Sequence, residues 1–331
     1  MGRSTAQTAG APLKPPGPPQ TEPASLQGVS VVIPAHNYAH YLPQAIASVL
    51  AQTHGALELI IVDDGSTDDT RAVVAAIADP RLRYVWQENA GLSASRNTGI
   101  REARFRFVAF LDADDRWEPG LLAAVLQQFA VLPGDFAAVA TGTVRMNAEG
   151  KIRTVPDYTA ESTGELTTRD FCLRNRPLSS SVVVQRHVFA DGGGFDTELR
   201  SSEDRDMWIR LTARGHRFYF LAQPLAVIRR HPQNMSKNAT RMKQNSARVL
   251  QQAWQRGAVS RFAVPFWLRV FAIHYFLVAW THFDDGQRGR ALHYWLASVA
   301  LWPFFLRPRR IFEPPLFRLR ALRHFLLPKR A

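Results

Sequence analysis

Short apolar runs, each ending in polar or acidic residues, punctuate the first half of the chain. Val29-Ser-Val-Val-Ile-Pro34, Leu57-Glu-Leu-Ile-Ile-Val62, Leu82–Trp86 and Phe107-Val-Ala-Phe-Leu111 are such runs. They are rich in β-branched and aromatic residues and have no helical period, which predicts buried strands. Between them the period changes. Leu42, Ala45, Ile46, Val49 and Leu50 fall at i, i+3, i+4, i+7 and i+8, one face of a helix. A further helix is expected from about Ser93 to Ala103, and Ser66 with Asp69 has the spacing of a helix cap and capping box. The order β-α-β-α-β-α-β with short crossovers predicts an α/β fold with a mostly parallel, right-handed sheet.

Downstream, Pro119–Leu132 reads as a helix, Phe136–Met146 as a strand, Asn147–Gly150 as a hairpin turn and Ser179–Val184 as another strand. Residues 156–170 are polar and read as a loop over the site. Glu203-Asp204 opens a helix whose Met207, Trp208 and Leu211 should face the core. Residues 1–27, rich in Pro, Gly, Ala, Thr and Gln, read as a flexible tail without the apolar segment of a signal peptide. After about Asn238 the chain turns helical, aromatic and basic. Phe262–Trp280 and Ala291–Leu306 are apolar, but the first carries Arg269 and the second is short, so neither is a clean span of ~20 apolar residues. Residues 286–303 resemble half of a TPR-like helical hairpin. The expected organisation is therefore a tail (1–27), a catalytic domain (28–238) and a C-terminal helical region (239–331).

Composition adds little to this picture until charge is counted. The chain has 331 residues, 46% of them hydrophobic, and one cysteine, Cys172, so no intrachain disulfide can form. Its formal charge of +13 points to a polyanionic partner, nucleic acid or an anionic membrane. Between Pro303 and Ala331, eight Arg/Lys residues stand against the single acid Glu313, interleaved with phenylalanines. That mixture suits an interfacial anchor on anionic lipid; no recognised nucleic-acid motif accompanies it.

The chemistry concentrates where the fourth strand ends, in Asp112-Ala-Asp-Asp115. Ligands of open α/β sheets bind outside the carboxyl ends of strands. In extended backbone Asp112 and Asp114 would project to one side, where two carboxylates need a cation. Hard ions such as Mg²⁺ or Mn²⁺ prefer oxygen ligands, so the pair reads as a metal site for a diphosphate.

Four segments, Val31-Val-Ile-Pro-Ala-His-Asn37, Leu59-Ile-Ile-Val-Asp-Asp-Gly-Ser-Thr-Asp68, Asn89-Ala-Gly-Leu-Ser-Ala-Ser-Arg-Asn97 and Leu111-Asp-Ala-Asp-Asp115, resemble in order and spacing the motifs of family 2 glycosyltransferases. The resemblance extends over about residues 28–235. It implies a GT-A fold and an inverting enzyme that uses a nucleotide-sugar donor, a UDP-sugar before a TDP- or GDP-sugar. It implies that Pro34, Ala35, His36 and Asn37 line the nucleotide, that Asp64 accepts a hydrogen bond from the base and that Asp63 orients the turn. A carboxylate suits uracil or thymine as well as guanine, so the base stays open. Gly91 and Arg96, in the loop and helix start at 91–97, would approach the donor. Asp112 and Ala113 would contact the ribose or sugar, and Asp114, with Asp112 and His231, would hold the metal. Arg230 and His231 end a strand that delivers basic groups to the diphosphate.

Asp204 would be the catalytic base, with Glu203 supporting it or binding the acceptor; the alternative is that both complement a helix dipole. Gln-x-x-Arg-Trp, the mark of processive synthases in this family, does not occur. The expected acceptor is a glycan or lipid-linked glycan, met in the cytoplasm at the inner face of the membrane. The rival readings are a catalytically silent nucleotide-sugar-binding scaffold at the membrane and a nucleotidyltransferase. The latter needs a glycine-rich basic loop that Ala35-His-Asn-Tyr38 does not provide.

Overall fold

The computed structural model describes residues 28–152, 163–174, 177–235, 238–304 and 317–326. The expected tail and most of the basic run after Pro303 lie outside them. In chain order the elements begin β1 (Val29–Ala35), α1 (Leu42–Leu50), β2 (Leu57–Asp64), α2 (Thr70–Ala75), β3 (Leu82–Gln87), α3 (Leu92–Glu102) and β4 (Phe107–Phe110). They continue with β5 (Arg116–Trp117), α4 (Leu121–Val131), β6 (Phe136–Met146), β7 (Gly164–Leu166), α5 (Thr168–Leu173), β8 (Val182–Gln185) and α6 (Val188–Gly192). The last are α7 (Glu203–Ala213), β9 (Arg217–Arg229), α8 (Ala239–Gln255), α9 (Val264–Asp284), α10 (Arg288–Leu301) and α11 (Phe317–Leu326).

Among the described residues nine strands form one sheet in the order β3-β2-β1-β4-β8-β6-β9-β5, with β7 also paired to β9. The first four are parallel and in register, Val31 opposite Leu59 and Ala109. The expected mostly parallel α/β sheet is thus found. β8 enters antiparallel between β4 and β6, while β9 runs parallel to β6. Strand alternation sorts the apolar residues onto two faces. Val31, Ile33, Leu59 and Ile61 pack with α1 and α4, whereas Val32, Ile60, Val62 and Phe110 join a core that continues through Trp208 of α7 into α8, α9 and α10.

The parallel strands read as continuous apolar runs because both faces are covered. At Gly99 of α3 an added Cβ would lie 2.2 Å from Val32 Cγ1, so glycine is what lets the helix lie on β1.

Four local expectations are corrected. The helix after β2 starts at Thr70 with Asp69 at its N-cap and no side-chain cap, while Ser66 Oγ instead accepts the Asn37 N–H (3.1 Å). Residues 163–170, the described part of the loop expected at 156–170, hold β7 and the start of α5; Thr167 and Asp170 make a capping box there, and β7 covers the edge of β9. The strand expected at Ser179–Val184 opens as a 3₁₀ turn, Ser179–Ser181, and only Val182–Gln185 is strand. After β4 the backbone is not extended but turns, the Asp115 N–H donating to the Asp112 carbonyl (3.0 Å).

In the C-terminal region α9 and α10 form an antiparallel pair joined at Gly286, whose φ of +77° suits the tight turn. Ser298 Oγ of α10 donates to the Ala272 carbonyl of α9 (2.7 Å). Buried Arg205 of α7 donates to the carbonyls of Phe171 (2.9 Å) and Cys172 (2.6 Å) and to Ser246 Oγ (3.0 Å), tying α5, α7 and α8 together. Among the described residues α9 is the one helix long and apolar enough, by length and composition, to cross a membrane; 39% of its most apolar window is buried.

Candidate active site

The carboxyl ends of β1, β2 and β4, the start of α7 and the end of β9 surround one cavity of about 530 Å³. It brings together Pro34, Ala35, His36 and Asp64 with Asp112, Ala113 and Asp114, and these with Glu203, Asp204 and Arg230. With Arg96, which also lines it, eleven expected residues, far apart in sequence, share one space. Asn37, Asp63, Gly91 and His231 do not line it, and each has a different place.

Asn37, with φ of +59°, is exposed; its Oδ1 accepts the Thr67 N–H (2.8 Å) and fastens the loop after β1 to that after β2. Asp63 is buried and accepts from the Ser66 N–H (2.8 Å) and the Tyr84 hydroxyl (2.6 Å), which orients the turn as expected. Burial and that bond to Asp63 push the Tyr84 hydroxyl up to about 12. Gly91, at φ +94°, donates its N–H to Asp64 Oδ2 (2.8 Å). Asp64 Oδ1 accepts from Ala90 N–H (2.9 Å) and Gln87 Nε2 (2.6 Å). A carboxylate offers about four acceptor positions, so three internal donors leave it room for about one donor from a base. His36 Nδ1 donates to the Asp64 carbonyl (2.9 Å), fixing the loop against the end of β2.

The acidic turn divides its three carboxylates. Asp115 is buried beneath the cavity, accepting from Ser180 Oγ (2.7 Å) and the Arg229 N–H (2.9 Å). Burial and the charges of Asp114 and Asp112 raise its pKa well above the carboxylate range. Asp114 Oδ2 lies 2.9 Å from His231 Nε2 and accepts from Asn234 Nδ2 (2.9 Å). Burial, then the charge of Asp112, raise the Asp114 pKa, and the contact with His231 opposes them. Asp112 points toward α3, its Oδ1 accepting from Arg96 Nη2 (2.7 Å).

Arg96 is 2% exposed and spans from Asp112 to Glu203, donating to Glu203 Oε1 (2.6 Å). Burial opposes its charge, but Asp112, Glu203 and Asp204 more than offset that and hold the guanidinium ionised. Arg96, expected at the donor, lines the cavity from between these two carboxylates. Asp204, beside Glu203, accepts the Arg205 N–H (2.7 Å). Burial first and the Glu203 charge second lift its pKa to about 7, against the pull of Arg96.

Among the described residues no three His, Cys, Asp or Glu side chains form a ready-made metal cluster. Asp114 and His231 nevertheless suit a divalent cation. The carboxylate is buried in a like-charged turn, and His231 Nδ1 is buried without a hydrogen-bond partner. Mg²⁺ and Mn²⁺ commonly take one or two protein ligands and draw the rest from phosphate and water.

Sequence reasoning did not single out Tyr38, Ser180 or Asn234. Tyr38 lines the cavity with its ring edge-on to His231 (5.9 Å), and burial with the charges of Asp114 and Asp112 raises its pKa. Ser180 Oγ accepts the Asp112 N–H (3.1 Å) while donating to Asp115, so one hydroxyl sets two members of the turn. Nothing in a run of three serines marks the middle one; only the 3₁₀ geometry does.

A cavity lined by carboxylates at the strand ends is where open α/β sheets bind their ligands. Residues 30–177 match the model of glycosyl transferase family 2. TuaG of Bacillus subtilis, a glycosyltransferase assigned to teichuronic acid biosynthesis, is 32% identical over 63% of this chain and 82% of its own. ExoO of Rhizobium meliloti, a succinoglycan biosynthesis protein, is 33% identical over 53% of each chain. The chain spans only 32% of an uncharacterized glycosyltransferase from Nostoc and 30% of one from Rickettsia felis. Among solved structures, residues 1–349 of TarS from S. aureus with UDP-GlcNAc superpose with a TM-score of 0.55 at 18% identity, over 83% of this chain and 89% of that one. The mannosyltransferase PcManGT from Pyrobaculum calidifontis, in complex with GDP-Man and Mn²⁺, gives 0.59 at 19% identity, over 86% and 79%. The chain belongs to glycosyltransferase family 2 and has the GT-A fold of these structures.

Proposed function

We propose that this protein transfers a sugar from a nucleotide-diphosphate-sugar to a hydroxyl of a glycan or lipid-linked acceptor, with inversion at the anomeric carbon. The observation that carries the reading is Asp204. It is a buried carboxylate with a pKa lifted to about 7, opening into the same cavity as Asp64, Asp112 and Asp114. A base poised near working pH is what removal of a hydroxyl proton needs.

In this reading Asp64 and the loops at 34–37 and 89–91 receive the nucleoside. Asp204 takes the acceptor proton as the new C–O bond forms at the anomeric carbon. The bond from that carbon to the diphosphate oxygen breaks, and the nucleoside diphosphate leaves on the opposite side with the electron pair. Asp114 and His231 would hold a divalent cation, Mn²⁺ or Mg²⁺, that neutralises charge on the departing diphosphate. Arg96 holds Glu203 and Asp112 in place and is not itself a donor ligand. Arg230, exposed at the cavity wall, adds positive charge for the diphosphate.

Residues 28–238 form the catalytic domain in this reading. The helices after it bring the enzyme to an anionic membrane surface, which the exposed Phe262 (95%), Val264 and Leu268 beside Arg261 support.

The test is a thermal-shift panel of UDP, GDP, TDP and CMP with and without Mn²⁺, on wild type and Asp114→Ala. One nucleotide at 100 times its Kd stabilises by about 2.7 kcal/mol. A Mn²⁺-dependent shift with one nucleoside diphosphate, lost in Asp114→Ala, is expected; no shift with any of the four would overturn the reading.

A further inference from the structure

Next to the main cavity, and sharing Leu92 and Met235 with it, lies a second cavity of about 140 Å³. Its walls come from the segment before α7 (Thr197, Leu199, Arg200), the first turn of α3, and Arg241 in the first turn of α8. Two arginines therefore line one small space. Among the described residues neither side chain has a hydrogen bond or an ion pair, and the nearby Glu198 is taken by Arg248. No acid follows on α8 to balance them, since from Asn234 to Phe283 the sequence contains no Asp or Glu.

The third wall carries positive potential as well. The N–H groups of Leu92 and Ser93 open α3 and have no acceptor within the helix. Arg200 reaches this wall because residue 91 is glycine; a Cβ there would lie 2.7 Å from its Nη1. Paired guanidinium forks match the oxygens of a carboxylate or a phosphate, and both groups are favoured at a helix N-terminus. The diphosphate of a donor already has Asp114, His231 and Arg230 on other elements, so the anion here belongs to a different molecule.

We infer that this cavity is an acceptor subsite for an oxyanion, a sugar carboxylate or a phosphate, held by Arg200 and Arg241. The inference rests on the transferase reading above for the word acceptor, but the anion site stands on its own geometry. An acceptor anchored there reaches the main cavity past Leu92 and Met235.

The test uses the full chain saturated with the nucleoside diphosphate and Mn²⁺, titrated at constant ionic strength with glucuronate, inorganic phosphate and, as a neutral control, glucose. Wild type is expected to bind at least one of the anions on top of the nucleotide and not to bind glucose. Glucuronate alone would name a uronic acid acceptor, and phosphate alone a phosphate-bearing one. Arg200→Gln/Arg241→Gln should weaken anion binding about tenfold or more, as loss of charged hydrogen bonds implies, while nucleotide affinity changes less than about twofold. The two single variants supply the same readout if the double variant does not fold. Equal anion affinity in wild type and variants, or anion binding that the nucleotide displaces, would overturn the inference. The anion titration is repeated without nucleotide, so failure of nucleotide binding counts against the transferase reading alone.

Discussion

Asp204→Asn removes a charge that folding has to bury. Burial and then the Glu203 charge raise this carboxyl from the ordinary 3.8 to about 7, with Arg96 opposing. At about 1.36 kcal/mol for each pH unit, a rise of that size makes the ionised form cost on the order of 4 kcal/mol of stability. The folded state holds the proton more tightly than the unfolded chain does. Stability is therefore full below the unfolded value and is lost as the pH climbs from about 4 through about 7. Asparagine carries no such proton. Thermal melts of the two proteins between roughly pH 5 and pH 8 should separate steadily, the variant gaining on wild type as the carboxylate ionises. About 2.6 kcal/mol of that cost falls between pH 5 and pH 8, so with about 2–4 °C per kcal/mol for domains of 150–250 residues the gap should widen by about 5–10 °C. The assay needs no substrate. Melting curves that stay parallel across the range would mean that Asp204 ionises like a surface carboxylate, and its candidacy as a base near neutral pH would fall with them.

The same carboxyl sets the expected rate profile: kcat/KM falls about tenfold for each pH unit below about 7 and levels above it, read by initial rates once a donor is known. Arg96→Met leaves Glu203 buried without its partner and should cost about 3–5 kcal/mol in chemical denaturation. Gly99→Ala pushes a methyl into Val32 and should lower the urea midpoint by the equivalent of about 1–3 kcal/mol. Tyr84→Phe removes the 2.6 Å bond to Asp63 and should cost about 1 kcal/mol, measured the same way.

The parallel half of the sheet was legible because its physics is local. Strands covered on both faces read as apolar runs, and the helices between them carry their own period. The antiparallel half was not. β8 is four residues long and follows a 3₁₀ turn, and β7 is three residues whose polar sequence reads as loop until β9 is beside it. Site membership was legible for residues at strand ends, where Asp64, Asp112 and Asp114 fall. The partners of those carboxylates were not. Arg96 was placed at the donor only by the family resemblance, whereas its bond to Glu203 depends on a contact across 107 positions. Asn234 and Ser180 are likewise assigned by folding alone.

The Arg229 side chain fastens β9 to three other segments at once. Nε donates to the Asp114 carbonyl (2.9 Å), Nη1 to the Ala148 carbonyl (2.7 Å) and Nη2 to Gln44 Oε1 (2.6 Å), and the guanidinium lies over the Tyr41 ring (4.7 Å). Two of those acceptors are main-chain oxygens, which every residue type supplies. Side chains at 114 and 148 can therefore be exchanged without loosening the fastening, but chain length cannot. One residue inserted into the 147–150 hairpin would carry the Ala148 carbonyl out of reach and release the acidic turn from behind. Whoever re-engineers this enzyme by swapping hairpins between relatives should keep the loop length and vary its letters.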